Sequence, residues 1–212
     1  MLSPTGAVSF AIGHRLPRRI GRYAADDDIG ALERDCVAMA VRLIVNGGPF
    51  PGVSRATVVR WARAMLRAVQ MPRAELSILL TDDEQMKRLN GVYRGKDRPT
   101  DVMAFAQREG EHSERAGRLL GDVVVSISTA SRQAKARGVA LSDELTMLLA
   151  HGLLHLLGWD HQTVVADRRM SREAKRLCDV AAATVALTGV KRRKDGDSKG
   201  GAATRGSGRT RR

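Results

Sequence analysis

A chain of 212 residues, 43% of them hydrophobic, has enough apolar material for one ordinary domain with appendages, and its apolar runs are too short and interrupted to span a bilayer. The two cysteines, Cys36 and Cys178, stand far apart with no CxxC pair; buried thiols in a reducing cytoplasm are expected rather than a disulfide. A net charge of +13 suggests a polyanionic partner, but Lys191–Arg212 carries +7 of it and Met1–Ala25 carries +4, leaving the body from Asp26 to Val190 near neutral at +2.

In chain order, the first 30 residues read as a poorly ordered extension. They are rich in arginine and faintly like a transit peptide, yet lack the sustained apolar core of a secretion signal. Residues 31–190 form the expected domain. Within it Asp35 to Val45 reads as a strand and GGPFPG as a loop. Ser54 caps a helix running to about Gln70, with Val58, Trp61, Met65 and Val69 on one face. A strand follows over Glu75–Leu80. Thr81 and Glu84 have capping-box spacing, which predicts a short helix from Asp82 towards Asn90 and then the polar loop GVYRGKDRPTD.

Short strands are predicted over Val102–Ala106 and, after a Gly/Glu-rich turn, Leu119–Ser126. Helices are predicted over Thr129–Arg137, closed by Gly138, over Ser142–Leu157, and from about Val165 to Leu187. Strands early and helices late imply an α+β domain or an α/β sandwich, with one small sheet covered by helices. The segment 191–212, rich in Gly, Ser, Thr and Arg and without apolar periodicity, reads as a disordered basic tail. Such a tail either reflects solubility or mere sequence drift, or grips nucleic-acid phosphates.

Chemistry concentrates in His151-Gly-Leu-Leu-His155-Leu-Leu-Gly158-Trp-Asp-His161, which holds three of the five histidines. Residues four apart share a helix face, so His151 and His155 can aim two imidazoles at one ion. Gly158 can take the left-handed conformation that ends the helix and turns the chain back, bringing in His161 as a third ligand. Three neutral nitrogens and a vacant fourth position make a catalytic zinc site, which acidifies water to near neutrality. The bland alternative, histidines decorating a helix, fits any one of them but not three set among Leu153, Leu154, Leu156 and Leu157. A purely structural zinc normally has four protein ligands, and no cysteine lies nearby. The spacing equals that of the metzincin protease signature HExxHxxGxxH, but Gly152 stands where that signature has its glutamate base, so metzincin-like proteolysis is not expected.

HGLLHLLGWDH resembles the HGxLHLxGxDH signature of the YbeY family of bacterial zinc endoribonucleases. Upstream, LNGVYRGKDRPTDVMAFA resembles that family's LNxxYRxKDxPTDVLSF block, with Met103 and Ala104 in place of Leu and Ser, and LLGDVVVS resembles its LGDIxIS strand. The match runs in order from about Asp35 to Cys178. The resemblance implies a single α+β domain and one zinc ion held by His151, His155 and His161. It implies cleavage of single-stranded RNA, with a role in late maturation of the 16S rRNA 3′ end and in ribosome quality control, and so ribosomal RNA or the small subunit as partner. It also places a functional arginine at Arg94. In the family the helix after the third histidine is often acidic, whereas here it reads QTVVADRRMSREAKRL. That departure bears on substrate grip rather than on zinc binding.

Arg94 is the candidate for stabilising charge that develops on a phosphate oxygen, and Lys96 a candidate for an adjacent phosphate; ordinary solvated loop charges are the alternative for both. Asp160 either orients a ligand imidazole or caps the turn. Asp101 and Asp122 are polar supports without assigned chemistry, Thr100 reads as a turn residue, and Trp159 reads as a core aromatic before a base-stacking one. The rival from another class is a ribosome-assembly RNA-binding factor with a structural metal and little hydrolysis.

Overall fold

The computed structural model describes residues 41–48, 50–107 and 117–194, with side chains of the last helix described as far as Thr184. The elements are β1 (Val41–Val45), α1 (Arg55–Ala68), β2 (Glu75–Thr81), α2 (Asp83–Arg94), β3 (Val102–Ala106), β4 (Leu119–Ser126), α3 (Ile127–Arg137), α4 (Leu141–Leu156) and α5 (Val164–Lys194). The expected N-terminal extension, the strand residues before Val41 and the Gly/Glu-rich turn lie outside the described residues. The tail expected from Lys191 begins as helix, because α5 continues through Lys194; its remainder lies outside the described residues.

Val-, Ile- and Leu-rich β2 and β4 are the inner strands of a four-stranded mixed sheet of order β1-β2-β4-β3, as expected for strands covered on both faces. The pairs β1–β2 and β2–β4 are parallel, and edge strand β3 is antiparallel to β4. Side chains alternate across this sheet. Ile78, Leu80, Val123 and Val125 face the main core with α1, α4 and α5, while Leu79, Met103, Phe105 and Val124 meet Met86 of α2 on the other face. Register slips by one residue between Glu75 and Leu76. At the slip Gly121 adopts φ +147°, and a Cβ there would lie 2.2 Å from the Phe105 carbonyl oxygen. The architecture is α+β, as expected.

Most helix ends follow local chemistry. Ser54 caps α1 and Ser126 caps α3, each accepting from the backbone N–H three residues on, and Gly138 closes α3 in the left-handed conformation. The expected Thr81–Glu84 capping box does not form. Thr81 stays in β2, fully buried, and Asp82 caps α2 instead, its Oδ1 accepting from Gln85 N at 2.8 Å. A carboxylate one residue later suits the helix dipole as well as the cap, and the helix then runs beyond Asn90 to Arg94.

Helix α4 decides where the site sits. Eleven of its 16 residues are buried, as expected of a helix that is apolar nearly all round, and burying its six core leucines contributes roughly 2 kcal/mol each. Its closest approach to the sheet is at Gly152, where a Cβ would lie 2.7 Å from Val123 Cγ1 and 3.3 Å from Val102 Cγ2. No side chain fits there, so the position occupied by a glutamate base in metzincins is structural in this chain. Alanine at 152 gains up to about 1 kcal/mol of helix propensity but overpacks a buried strand at a cost of about 1–3 kcal/mol. Gly152→Ala is therefore expected to lower the urea unfolding midpoint, and Gly152→Glu to prevent folding, both read by circular dichroism.

Candidate metal centre

Turning 100° per residue from Gly152, which faces the sheet, places His151 and His155 together on one flank of α4. The helix ends at Leu156, Gly158 takes φ +80°, and its N–H together with that of Trp159 bonds back to the last turn at 3.0 Å. This reversal carries His161 to the same flank. Ligand nitrogens of the three imidazoles all lie within 4.8 Å of one another, and His155 Nε2 is 3.0 Å from His151 Nε2. Nitrogens around a tetrahedral ion with bonds of about 2.0 Å stand about 3.3 Å apart, so the donor set fits a small divalent ion such as zinc. Among the described residues no fourth His, Cys, Asp or Glu joins the group.

His155 is 4% exposed and its Nδ1 lies 2.8 Å from the Trp159 carbonyl oxygen. A carbonyl only accepts, so Nδ1 carries the proton and Nε2 keeps its lone pair facing His151. Burial, then the neighbouring His151, push the His155 pKa down to about 4, and burial also lowers that of His151. Both rings are thus neutral donors near pH 7, the state that a metal requires.

Arg94 occupies the last turn of α2 on the opposite side of the sheet, just after Tyr93, whose ring packs edge-on against Phe105 with centroids 5.0 Å apart. Its charge nevertheless acts on His155, helping to lower that pKa. All three guanidinium nitrogens are buried without a hydrogen-bond partner among the described residues, and burial lowers the Arg94 pKa.

A model of the family described as endoribonuclease YbeY matches residues 52–181. The chain belongs to the endoribonuclease YbeY family. A Synechococcus endoribonuclease YbeY is 46% identical over 136 residues, which is 61% of this chain and 82% of that protein. The Aquifex aeolicus endoribonuclease YbeY is 41% identical over 122 residues, 57% of this chain and 79% of that protein. A solution structure from Thermotoga maritima shares the fold, with a TM-score of 0.51 at 21% identity, covering 76% of this chain and 99% of that one.

The YbeY-like motif residues thus fall into distinct places. The three histidines come together, and Arg94 joins them electrostatically. Lys96 follows the left-handed Gly95 and is half-buried. Asp101 accepts from Thr100 Oγ1, Val102 N and Gln133 Nε2, bracing the start of β3, and its charge raises the His151 pKa. Asp122 lies on the α2 face of the sheet beside Ser77, away from the histidine helix, its pKa raised by burial, and its charge acts on Tyr93. Asp160 is exposed and accepts from Gln162 N at 3.4 Å, the contact of a turn cap and not of an imidazole-orienting group. Trp159 packs against the core, and what orients His155 is its carbonyl. Asn90 was also missed: its Nδ2 donates to Arg98 O at 2.7 Å and its carbonyl accepts from Lys96 N, clamping the loop after Arg94. A backbone carbonyl leaves no mark on residue type, and Asn90 read as a helix end.

A histidine held below its ordinary pKa stabilises the fold fully above about pH 6.5 and loses that contribution as pH falls towards its folded value, because the unfolded chain takes the proton first. Metal-free protein is therefore expected to weaken between about pH 6.5 and pH 4, by at most about 3 kcal/mol from His155. Urea titrations across that range check this, with His155→Gln expected to flatten the dependence.

Proposed function

We propose that the chain is a single-strand-specific zinc endoribonuclease acting in late maturation of the 16S rRNA 3′ end and in ribosome quality control, with ribosomal RNA or the small subunit as its partner. Family membership makes it a metal-dependent endoribonuclease, a hydrolase of RNA. The observation that carries the zinc-nuclease reading is the convergence of three histidine nitrogens, together with a buried guanidinium whose charge acts on His155 and that has no partner among the described residues. Such a guanidinium is costly to bury unless an anion completes it, and RNA phosphate is that anion. No helix among the described residues is long and apolar enough to cross a membrane.

His151, His155 and His161 would hold the zinc ion, with the Trp159 carbonyl keeping His155 in the tautomer that presents Nε2. A bound zinc ion supplies Lewis acidity and lowers the pKa of water it takes up to about 7. Arg94 pairs with the scissile phosphate and stabilises the charge that grows on its oxygen, while Lys96 grips a neighbouring phosphate. Gly152, tight against Val123, leaves no place for the glutamate that metzincin proteolysis requires.

Single-stranded RNA incubated with purified protein, with and without chelator, tests this reading. His155→Ala should abolish cleavage and zinc stoichiometry while leaving the far-ultraviolet circular dichroism recognisable. Arg94→Ala should lower kcat by about 100-fold or more, in the range of losing one charge-stabilising donor, with zinc content unchanged. Cleavage that survives in His155→Ala would refute the mechanism.

A further inference from the structure

Helix α5 begins three residues after His161. Its N–H groups are anchored by Thr163, whose Oγ1 accepts from Ala166 N at 3.1 Å. The start of α5 therefore lies next in the chain to the histidine cluster. Met170, Ala174, Leu177 and Ala181 are the buried stripe of α5. Arg168 and Arg172, four residues apart, stand on the opposite face, with Arg169 one step round, and all three are exposed.

Further along, charges are paired: Arg176 with Glu173 at 2.6 Å and Lys175 with Asp179 at 3.2 Å. Among the described residues Arg168, Arg169 and Arg172 have no carboxylate partner. Arg172 Nε instead donates to the Arg168 carbonyl oxygen at 3.4 Å. Like charges four apart destabilise a helix. Helix formation therefore gives no account of these three arginines, whereas an anion there would be favoured by the guanidinium groups.

Resting on the reading of the site as a ribonuclease centre, we infer that Arg168, Arg169 and Arg172 form a phosphate track along α5 that holds the RNA strand as it leaves the histidine cluster. Arginine suits this role because its planar fork pairs with phosphate oxygens two at a time. Exposed Val164 and Val165, each 68% accessible, lie between His161 and the track and offer apolar contact to the bases. An RNA strand is preferred to an acidic protein because the substrate must cross the cluster and pass an adjoining surface, and this one is cationic.

The test compares the zinc-loaded full chain with R168Q/R169Q/R172Q and R168K/R169K/R172K, using a labelled single-stranded oligouridylate. Binding is read by fluorescence anisotropy across a salt series, and cleavage is followed in parallel. Losing three phosphate contacts should reduce the slope of log affinity against log salt by about 2. Between 50 and 200 mM salt, the advantage of the unaltered chain over the glutamine variant should then shrink by about 16-fold. The lysine variant should keep most of the slope, and neither variant should melt at a lower temperature, since glutamine removes repulsion. Equal slopes for the unaltered chain and the glutamine variant would overturn the inference and point to an acidic protein partner. If the slope falls as expected while the unaltered chain cleaves no RNA, the track stands and the nuclease reading fails.

Discussion

The contact between Gly152 and the sheet sets the rotation of α4, and the geometry of the candidate centre follows from that rotation. With Val123 and Val102 pressed against a residue that has no side chain, the helix cannot turn about its axis without driving Leu149, Leu153 or Leu156 out of the core. The histidine flank is fixed by the same contact. A glycine at this point thus does two things at once. It admits close packing, and it removes the side chain on which a protease of similar spacing depends.

Burial and hydrogen bonding act in concert on His155. Desolvation keeps the ring neutral near pH 7, and the Trp159 carbonyl decides which nitrogen holds the remaining proton. Neither effect alone would present Nε2 as a donor towards His151: burial leaves the tautomer open, and the hydrogen bond would also suit a charged ring. The left-handed Gly158 connects them, since the turn that delivers His161 also delivers the carbonyl.

Cationic groups reach the cluster from two directions. Arg94 comes from the helix on the other side of the sheet, held by the Tyr93–Phe105 contact before it and the Asn90 clamp after it. The arginines of α5 come from the helix that follows His161. Arg94 is buried and its charge acts on His155, whereas the α5 arginines are exposed and act through screened, additive attraction. The near-neutral body of the chain therefore still places positive charge on both sides of the histidines.

Local pattern was enough to place most elements and the three histidines. Short strands were expected over Val102–Ala106 and Leu119–Ser126 at their observed bounds, Ser54 and Gly138 marked helix ends, and i, i+4 spacing with Gly158 foretold the meeting of His151, His155 and His161. These features depend on neighbours within a turn or two, where residue type and spacing carry the physics. The cap of α2 escaped because Thr81 and Asp82 both suit the role, and only the demand of β2 for one more buried residue separates them. Tertiary structure alone decided that Asp122 faces away from the histidine helix, that the charge of Arg94 acts on His155 from the helix on the other face of the sheet, and that a backbone carbonyl orients the central ligand. Those facts depend on strand order and on the rotation of one helix against a sheet, quantities set by contacts between residues far apart in the chain.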